Sequence, residues 1–510
     1  MLGYVRTERL AFILGTSFAG DSFILAYRIP NLFRRLVAEG AMSASFIPVF
    51  AQWRGDKERE EWIDFANRTF WTLSLVLAAI TVLGVVFSPL LVRLFTWSGS
   101  RIDVDLATLL NRVMWPYLFF VGLSALLMAF LNSFRIFAVP ALASVMLNLS
   151  VIAFSFLALR MQEPSVALAI GVLVGGLLQL AIQVPSAIKQ GMTFRLGISF
   201  RHPAIRRVGK LMLPGFAGYG VAYVNFAVGT IFATHSLMPE GALMSLEVAD
   251  RVMELVLGGY AIAIATAILP LMSEQVAERN MSELKQTISF SLRLVSFITI
   301  PAMVGLVILR QPIIQVLFER GRFTQESTAI TAWALLFYAI GLPWFAAAKI
   351  IIPAFYSTHD TRTPVKVAAV AMVANIAFNF LFLYPLRNGG PAAATSLAGA
   401  LNFVVLYWIF RRRHGLLGTR ETLRSGAKVV LASAAMGVAA WLMLALSGFN
   451  DPAGAVQHSL ALQVVALTAM LAIATGIYFF LTWLMRCDEL RELYGIARRR
   501  PKAAEALPGA

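Results

Sequence analysis

The amino-acid sequence predicts an all-α polytopic membrane protein of about fourteen transmembrane helices, with two pseudo-symmetric six-helix lobes and two further C-terminal helices. Three observations support this prediction. The 510 residues are 59% hydrophobic and 14% charged, with a mean hydropathy of +0.74, which is too apolar for a soluble globule. Apolar runs of roughly 18 to 30 residues, long enough to cross a bilayer, recur along the chain. Landmarks of the first half recur at one spacing in the second half.

The apolar runs define fourteen approximate spans. The second and eighth are unusual, because their charges would exclude them from a simple hydropathy search. In chain order the predicted spans are residues 1–19, 22–52, 66–95, 105–132, 138–161, 164–188, 206–236, 241–273, 284–308, 325–356, 364–384, 389–411, 426–447 and 458–485.

Basic residues are distributed unevenly over the connections. Loops after even-numbered spans, such as 189–207 and 411–424, are rich in Lys and Arg, whereas those near 237 and 450 carry none. Since cytoplasmic loops are enriched in basic residues, we expect both termini in the cytoplasm. The loop with Arg320 and Arg322 is an exception on the outer side, and we expect a gate or contact surface there.

The net charge of +16 does not indicate nucleic-acid binding, because orientation and anionic headgroups account for basic cytoplasmic loops. The single cysteine, Cys487, excludes an internal disulfide, and no cluster resembles a zinc site. We therefore expect no cofactor. The first span also lacks the cleavage site of a signal peptide.

An internal duplication organises the chain. Arg251 follows Arg28 by 223 residues, and Pro364 follows Pro140 by 224 residues. The segments SFIPVF and AILPLM, which close the two charged spans, have prolines 222 residues apart. Because each half holds an even number of spans, the halves form a parallel repeat, and we expect the substrate between them. The predicted domains are 1–190, the first lobe with a shortened first helix, 191–413, the second lobe, and 414–510, two additional helices and a basic tail.

The second span carries a polar stripe at helical spacing. A charged group at bilayer depth costs several kcal/mol unless it is paired or hydrated, so the stripe indicates a polar pathway through the membrane. An amphipathic helix lying in the interface is the alternative. The stripe consists of Asp21, Arg28, Asn31, Arg35 and Glu39, with Arg34 beside Asn31.

The eighth span repeats this arrangement. Glu247, Arg251 and Glu254 share one face, and Asp250 is adjacent to it. The alternative to a polar cavity lining is an intrahelical ion pair of Arg251 with either glutamate.

The arginines indicate the chemistry of the ligand. A guanidinium group stays ionised and forks onto phosphate oxygens, so an arginine-lined cavity favours a phosphate or pyrophosphate head. The sequence contains no GxxxxGK[ST] motif. We therefore expect the energy to come from an ion gradient, the membrane potential or the substrate's own concentration difference.

Four segments carry a resemblance to a known family. In order they are DSFILAYRIPNLFRRLVAEGAMSASFIPVF at 21–50, ADRVMEL at 249–255, FERGRFT at 318–324 and PAFYSTHDTRTPVKVA at 353–368. They resemble the MurJ (MviN) lipid II flippases of the multidrug/oligosaccharidyl-lipid/polysaccharide exporter superfamily, over essentially the whole chain. The resemblance implies a V-shaped transporter of the bacterial inner membrane. It would carry lipid II, an undecaprenyl-pyrophosphate-linked peptidoglycan precursor, to the periplasmic leaflet by alternating access through a cationic cavity, with the lipid tail in a groove of the last two helices.

The resemblance also assigns residues. Arg6, Arg34 and Arg251 match the family's essential cavity arginines, and its other polar positions correspond to Asp21, Asn31, Glu39 and Glu254. We expect these arginines, together with Arg28 and Arg35, to contact pyrophosphate, and the acids and Asn31 to form conformational pairs or to contact sugar and peptide. The expected partners of a monomeric protein are lipid II, membrane lipids and cell-wall synthesis proteins.

Two features depart from the family's pattern. Members begin upstream of the position of Met1, so we expect either a misassigned start codon or a truncated first helix. Some members bind sodium on the eleventh and twelfth helices, where this chain has Asn375, Asn379 and Thr395 without a carboxylate. Because hard cations prefer charged oxygen ligands, these residues are weak sodium candidates. Asparagine hydrogen bonds between helices are the favoured alternative.

Other functions stay open from the sequence. One is a flippase for another polyprenyl-linked glycan, and one is a drug or ion antiporter of the same superfamily, which the arginines disfavour. A membrane glycosyltransferase would need a catalytic carboxylate cluster and usually a larger loop domain than these connections provide.

Overall fold

The computed structural model describes residues 2–38, 41–97, 99–416, 418–449 and 459–490. Every regular element in these residues is an α helix, which confirms the all-α prediction. In chain order the helices are α1 (Leu2–Leu14), α2 (Phe18–Ala38), α3 (Ala41–Asp56), α4 (Arg59–Val86), α5 (Ser88–Phe95), α6 (Val104–Ser133), α7 (Ala138–Ala158), α8 (Pro164–Ala181), α9 (Val184–Lys189), α10 (Pro203–Ala233), α11 (Ala242–Ala277), α12 (Met281–Ile308), α13 (Arg310–Phe318), α14 (Gln325–Ser357), α15 (Arg362–Leu386), α16 (Gly389–His414), α17 (Thr419–Leu446) and α18 (Leu460–Leu484).

Ten helical segments within the described residues are long and apolar enough to cross a membrane. They are α4, α6, α7, α8 continued by α9, α12, and α14 to α18. The chain is therefore a multi-pass membrane protein. Each predicted span overlaps a helix, but α1 has only 13 residues, and α2, α3, α10 and α11 also fall outside this set. The count of fourteen and the arrangement in two lobes stay predictions.

Two predicted spans are divided in the structure. The span 22–52 consists of α2 and α3, and residues 39 and 40, including the candidate Glu39, lie outside the described residues. The span 66–95 consists of α4 and α5. Pro89 lies in the first turn of α5, where its missing N–H costs nothing and a new helix can begin.

Contacts between residues divide the chain into two compact units. The first unit comprises Met1–Val248, Phe318–Ile330 and Asn379–Pro391, and the second comprises Ala249–Leu317, Thr331–Phe378 and Ala392–Ala510. The predicted lobe boundaries near residues 190 and 413 stay predictions, because these units follow spatial contact and not the internal repeat.

The first unit has an aromatic core where α3 packs on α4 and α6. The ring of Phe46 stacks on Phe50 at 5.2 Å and on Phe65 at 5.8 Å, and Phe130 meets Phe50 edge-on at 5.2 Å. All four side chains are at most 1% exposed. Because aromatic pairs bury large areas in specific geometries, this cluster fixes α3 against its neighbours.

Residues 319–324 of the first unit lie against α1. The N–H of Arg322 donates to the carbonyl oxygen of Phe12 at 2.9 Å, and the guanidinium of Arg320 lies 4.0 Å from the carboxylate of Glu8. Gly15, just after α1, has φ +57°, and a Cβ there would lie 2.3 Å from the Arg322 carbonyl oxygen. The turn after α1 therefore requires glycine.

In the second unit, the segment after α18 is fastened to α12 and α17. The hydroxyl of Tyr478 donates to the carbonyl oxygen of Phe297 at 2.6 Å. The buried carboxylate of Glu489 accepts a hydrogen bond from Ser425 at 2.7 Å and lies 3.5 Å from the guanidinium of Arg293. A buried carboxylate with these partners is compensated in both charge and hydrogen bonding.

Candidate functional site

Helix α2 buries both its polar stripe and part of its opposite face. Asp21, Arg28 and Asn31 are 5%, 8% and 6% exposed, while Leu25 and Leu32 on the other face are 0% and 8% exposed. A helix lying in the membrane interface would expose its polar face to water. The burial of both faces therefore favours a helix enclosed by protein.

The most enclosed arginine of α2 is Arg28. Its guanidinium lies 2.9 Å from the carboxylate of Glu247 on α11 and donates to the hydroxyl of Thr230 on α10 at 3.1 Å. The same group lies 4.8 Å from the ring centroid of Phe226. Because Glu247 compensates its charge, Arg28 joins α2, α10 and the start of α11, which favours a positioning role over direct ligand contact.

One turn further along α2, two arginines are half-buried. The Nε of Arg34 donates to the side-chain oxygen of Asn31 at 2.5 Å, so the buried asparagine orients this guanidinium. Arg35 lies 5.2 Å from the Phe226 ring, so it and Arg28 share one aromatic partner. Within the described residues Arg35 has no ion pair with a carboxylate. Glu39 lies outside these residues.

Arg6 on α1 lines a small cavity together with Glu247. The remaining walls are mainly apolar and come from α1, α2, α7, α8 and α11. The cavity volume is about 20 Å³, enough for about one water molecule. The Arg6 guanidinium lies 6.0 Å from the ring centroid of Tyr27, within the range of a cation–π contact.

Two acidic residues accept hydrogen bonds at the starts of α11 and α2. The carboxylate of Asp21 on α2 accepts from the N–H of Met244 in the first turn of α11 at 3.0 Å. In return, Glu240 accepts from the N–H of Phe18, the first residue of α2, at 3.2 Å. The first N–H groups of a helix lack partners within the helix, and its dipole favours negative charge there. Each helix start is thus satisfied by an acid from the neighbouring segment.

Arg251 and Glu254 belong to the second unit. Their side chains are 2.7 Å apart and are 25% and 47% exposed. The intrahelical ion pair considered from the sequence is therefore present between Arg251 and Glu254, whereas Glu247 pairs with Arg28.

The three weak sodium candidates lie on α15 and α16. Asn375 and Asn379 are 1% and 2% exposed, and Thr395 is half-buried. In the part of the chain that the structure describes, no group of three or more His, Cys, Asp or Glu side chains could hold a metal ion.

Sequence reasoning missed Glu240 and Phe226, and it assigned Glu247 to a local partner. Helical periodicity finds residues on one helix face but not their partners on another helix. The repeat carried a usable signal, because the Phe18–Glu240 and Asp21–Met244 contacts join residues 222 and 223 positions apart, the spacing of the duplication.

Comparison with known proteins gives one consistent result. The family model described as lipid II flippase MurJ matches residues 10–485. The chain is 35% identical over 447 residues to a “Probable lipid II flippase MurJ” of Vibrio cholerae, covering 86% of this chain and 85% of the relative. It is 33% identical over 520 residues to a protein of the same description from Rhizobium tropici, covering 100% of this chain and 95% of the relative.

Solved structures agree with the sequence relatives. A lipid II flippase MurJ in an inward closed conformation matches with a TM-score of 0.76 and 26% identity, covering 94% of this chain and 96% of that one. An inward-facing multidrug resistance transporter of the MATE family matches with a TM-score of 0.69 over 82% of this chain and 95% of that one. At 15% identity the second match shows a shared fold alone. The family match over most of the sequence, with these relatives, shows that this chain belongs to the MurJ family of lipid II flippases.

Proposed function

We propose that this transporter moves lipid II from the cytoplasmic to the periplasmic leaflet of the bacterial inner membrane. The observation that carries the proposal is the MurJ family match over residues 10–485. The relatives' descriptions name a flippase and not an enzyme. The MATE likeness supports the fold and brings no drug substrate with it.

The pyrophosphate of lipid II is the part that arginines recognise best. Of the α2 arginines, Arg34 and Arg35 are half-buried, while Arg28 is paired with Glu247. We assign Arg34 and Arg35 to pyrophosphate contact, Asn31 to orienting Arg34, and Arg28 to positioning α2. A bidentate guanidinium–phosphate contact is stronger than a neutral hydrogen bond and constrains its direction. Arg6 and Arg251 carry the same assignment from the sequence, and variants of each test it separately.

Transport by alternating access requires that the ligand bind one conformation more tightly than another. We propose that charge neutralisation of the arginines by pyrophosphate supplies this difference. The contacts of Asp21 and Glu240 with the starts of α11 and α2 are suited to holding one conformation, because both must break before these helix starts separate.

We assign no cofactor to the transport cycle. The energy source in this proposal is the membrane potential or an ion gradient, since the sequence has no P-loop motif. Replacing sodium by choline in a transport assay distinguishes the two. Loss of transport would indicate sodium coupling and direct attention to Asn375, Asn379 and Thr395.

The first experiment is complementation of a bacterium depleted of its own lipid II flippase. We expect the wild-type chain to restore growth and Arg34→Ala to fail at equal membrane abundance. Arg34→Lys should be weaker than wild type, because lysine keeps the charge but loses the fork. The control is Arg93→Ala, which removes an exposed arginine of α5 and should restore growth. Full rescue by Arg34→Ala would contradict the proposed role of this arginine.

A further inference from the structure

A second cluster of cations lies at the start of α10. Arg201, Arg206, Arg207 and Lys210 line an open cavity of about 350 Å³. This volume falls within the range of about 300–1,000 Å³ that is usual for ligand pockets. All four side chains are exposed, and the assignments for lipid II transport use none of them.

The charges of this basic cluster are held together without compensation. The Nε of Arg206 donates to the carbonyl oxygen of Phe200 at 3.2 Å, and Arg207 donates to the side-chain oxygen of Gln52 at 2.8 Å. Both acceptors are neutral, so they orient the guanidinium groups and leave the charges in place. Within the described ranges none of the four cations has an ion pair with a carboxylate. Clustered like charges repel one another and attract an anion.

The start of α10 is held in place by aromatic contacts. The ring of His202 lies 5.4 Å from Trp53 on α3 and stacks on Phe65 of α4 at 5.5 Å. Burial lowers the pKa of His202 below its ordinary value of 6.5, so it adds no charge at pH 7. The site is therefore preorganised, which reduces the entropy that a ligand must lose on binding.

Apolar side chains flank the cations. Leu196, Ile198 and Phe200 are 77%, 47% and 54% exposed on the segment leading to α10. Lys210 is the last charged residue before 23 uncharged residues, 211–233, a length sufficient to cross the hydrocarbon core. The cations thus lie where an interfacial headgroup would be, with apolar side chains available to acyl chains.

We propose that this cluster binds an anionic phospholipid, with the cations on its phosphate and the three apolar residues against its acyl chains. Basic residues beside a membrane span attract anionic lipids. A free phosphate ion would make no use of the apolar flank. This site goes beyond the proposed transport of lipid II and does not depend on it.

The test is binding of dioctanoyl phosphatidylglycerol to the purified full chain in a neutral detergent, measured by calorimetry. Dioctanoyl phosphatidylcholine and inorganic phosphate serve as competing probes. We expect saturable binding of the anionic lipid alone. Arg206→Gln/Arg207→Gln/Lys210→Gln should weaken it about a hundredfold, from about fivefold per basic residue.

Two variants separate this site from a general effect of charge. Arg411→Gln/Arg412→Gln/Arg424→Gln removes three exposed charges elsewhere and should bind as wild type, and Arg206→Lys/Arg207→Lys should bind within about threefold, because the charge is kept. If the triple variant at α10 does not fold, Lys210→Gln alone should still weaken binding about fivefold. Unchanged binding in the α10 variants, equal binding of phosphatidylcholine, or competition by phosphate at the lipid's own concentration would overturn the proposal.

Discussion

The ion pair of Arg28 and Glu247 gives the sharpest quantitative prediction. The charged atoms are 2.9 Å apart, and the side chains are 9% and 22% exposed. At an effective dielectric constant of about 20, two unit charges at this separation attract by about 6 kcal/mol before desolvation is counted. Removing one partner of a buried pair usually costs about 3–5 kcal/mol, because the other charge stays buried. Since water still reaches Glu247, we expect the lower end, about 3 kcal/mol.

A double-mutant cycle measures this coupling. The variants are Arg28→Met, Glu247→Met and both together, and the assay is the free energy of unfolding from titration with denaturing detergent in mixed micelles. Each single variant should lose about 3 kcal/mol, and the double variant should lose much less than their sum, because two apolar side chains leave no charge buried.

The matched control is the exposed pair of Lys57 and Glu61. Its atoms are 3.2 Å apart, but its side chains are 44% and 51% exposed. Solvent-exposed pairs of this kind contribute about 0.3–0.5 kcal/mol. If the Arg28–Glu247 cycle were additive, or gave a coupling as small as that of this control, the inference that the pair joins α2 to α11 would be refuted.

Three further predictions concern the fold around the site. Gly15→Ala should lower membrane abundance severely, because its Cβ would meet a backbone oxygen in a left-handed turn, whereas Gly209→Ala, with open space around it, should match wild type on immunoblots. Glu489→Ala should cost about 1–3 kcal/mol by leaving its buried partners unsatisfied and should speed limited proteolysis after residue 485, while unchanged digestion would argue against the anchoring. Partial burial raises the pKa of Asp360, but hydrogen bonds from Thr363 and Arg413 outweigh it and lower that pKa to about 2. The stabilisation is therefore present above the unfolded pKa of about 4 and lost as the pH falls to 2, so wild type and Asp360→Asn should differ in melting temperature at pH 6 and converge near pH 2; a constant difference would exclude this linkage.

The helices were the most predictable part of the molecule. Apolar run length placed α6 at Val104–Ser133, against a predicted 105–132, and α14 at Gln325–Ser357, against a predicted 325–356. In a membrane every backbone polar group must be satisfied within the segment, so apolar length alone identifies a helix. The division at Phe87 was missed, because run length ignores the proline that starts α5.

The partners of the polar residues were less predictable. Glu247 lies one turn before Arg251, so helical spacing favours a local pair, yet the tertiary fold gives it Arg28, 219 residues away. Asp21 was expected to line a pathway, and its carboxylate instead accepts from the backbone of α11. No periodicity within one helix predicts an acceptor for another helix's first turn.

The measurement that tests the central claim most directly is the leaflet position of lipid II in intact cells. In cells depleted of their own flippase and carrying this chain, lipid II should become accessible to an externally added hydrolase that cleaves it. Cells carrying Arg34→Ala at equal abundance should keep it protected. Lipid II that stays inaccessible with the wild-type chain present in the membrane would contradict the account.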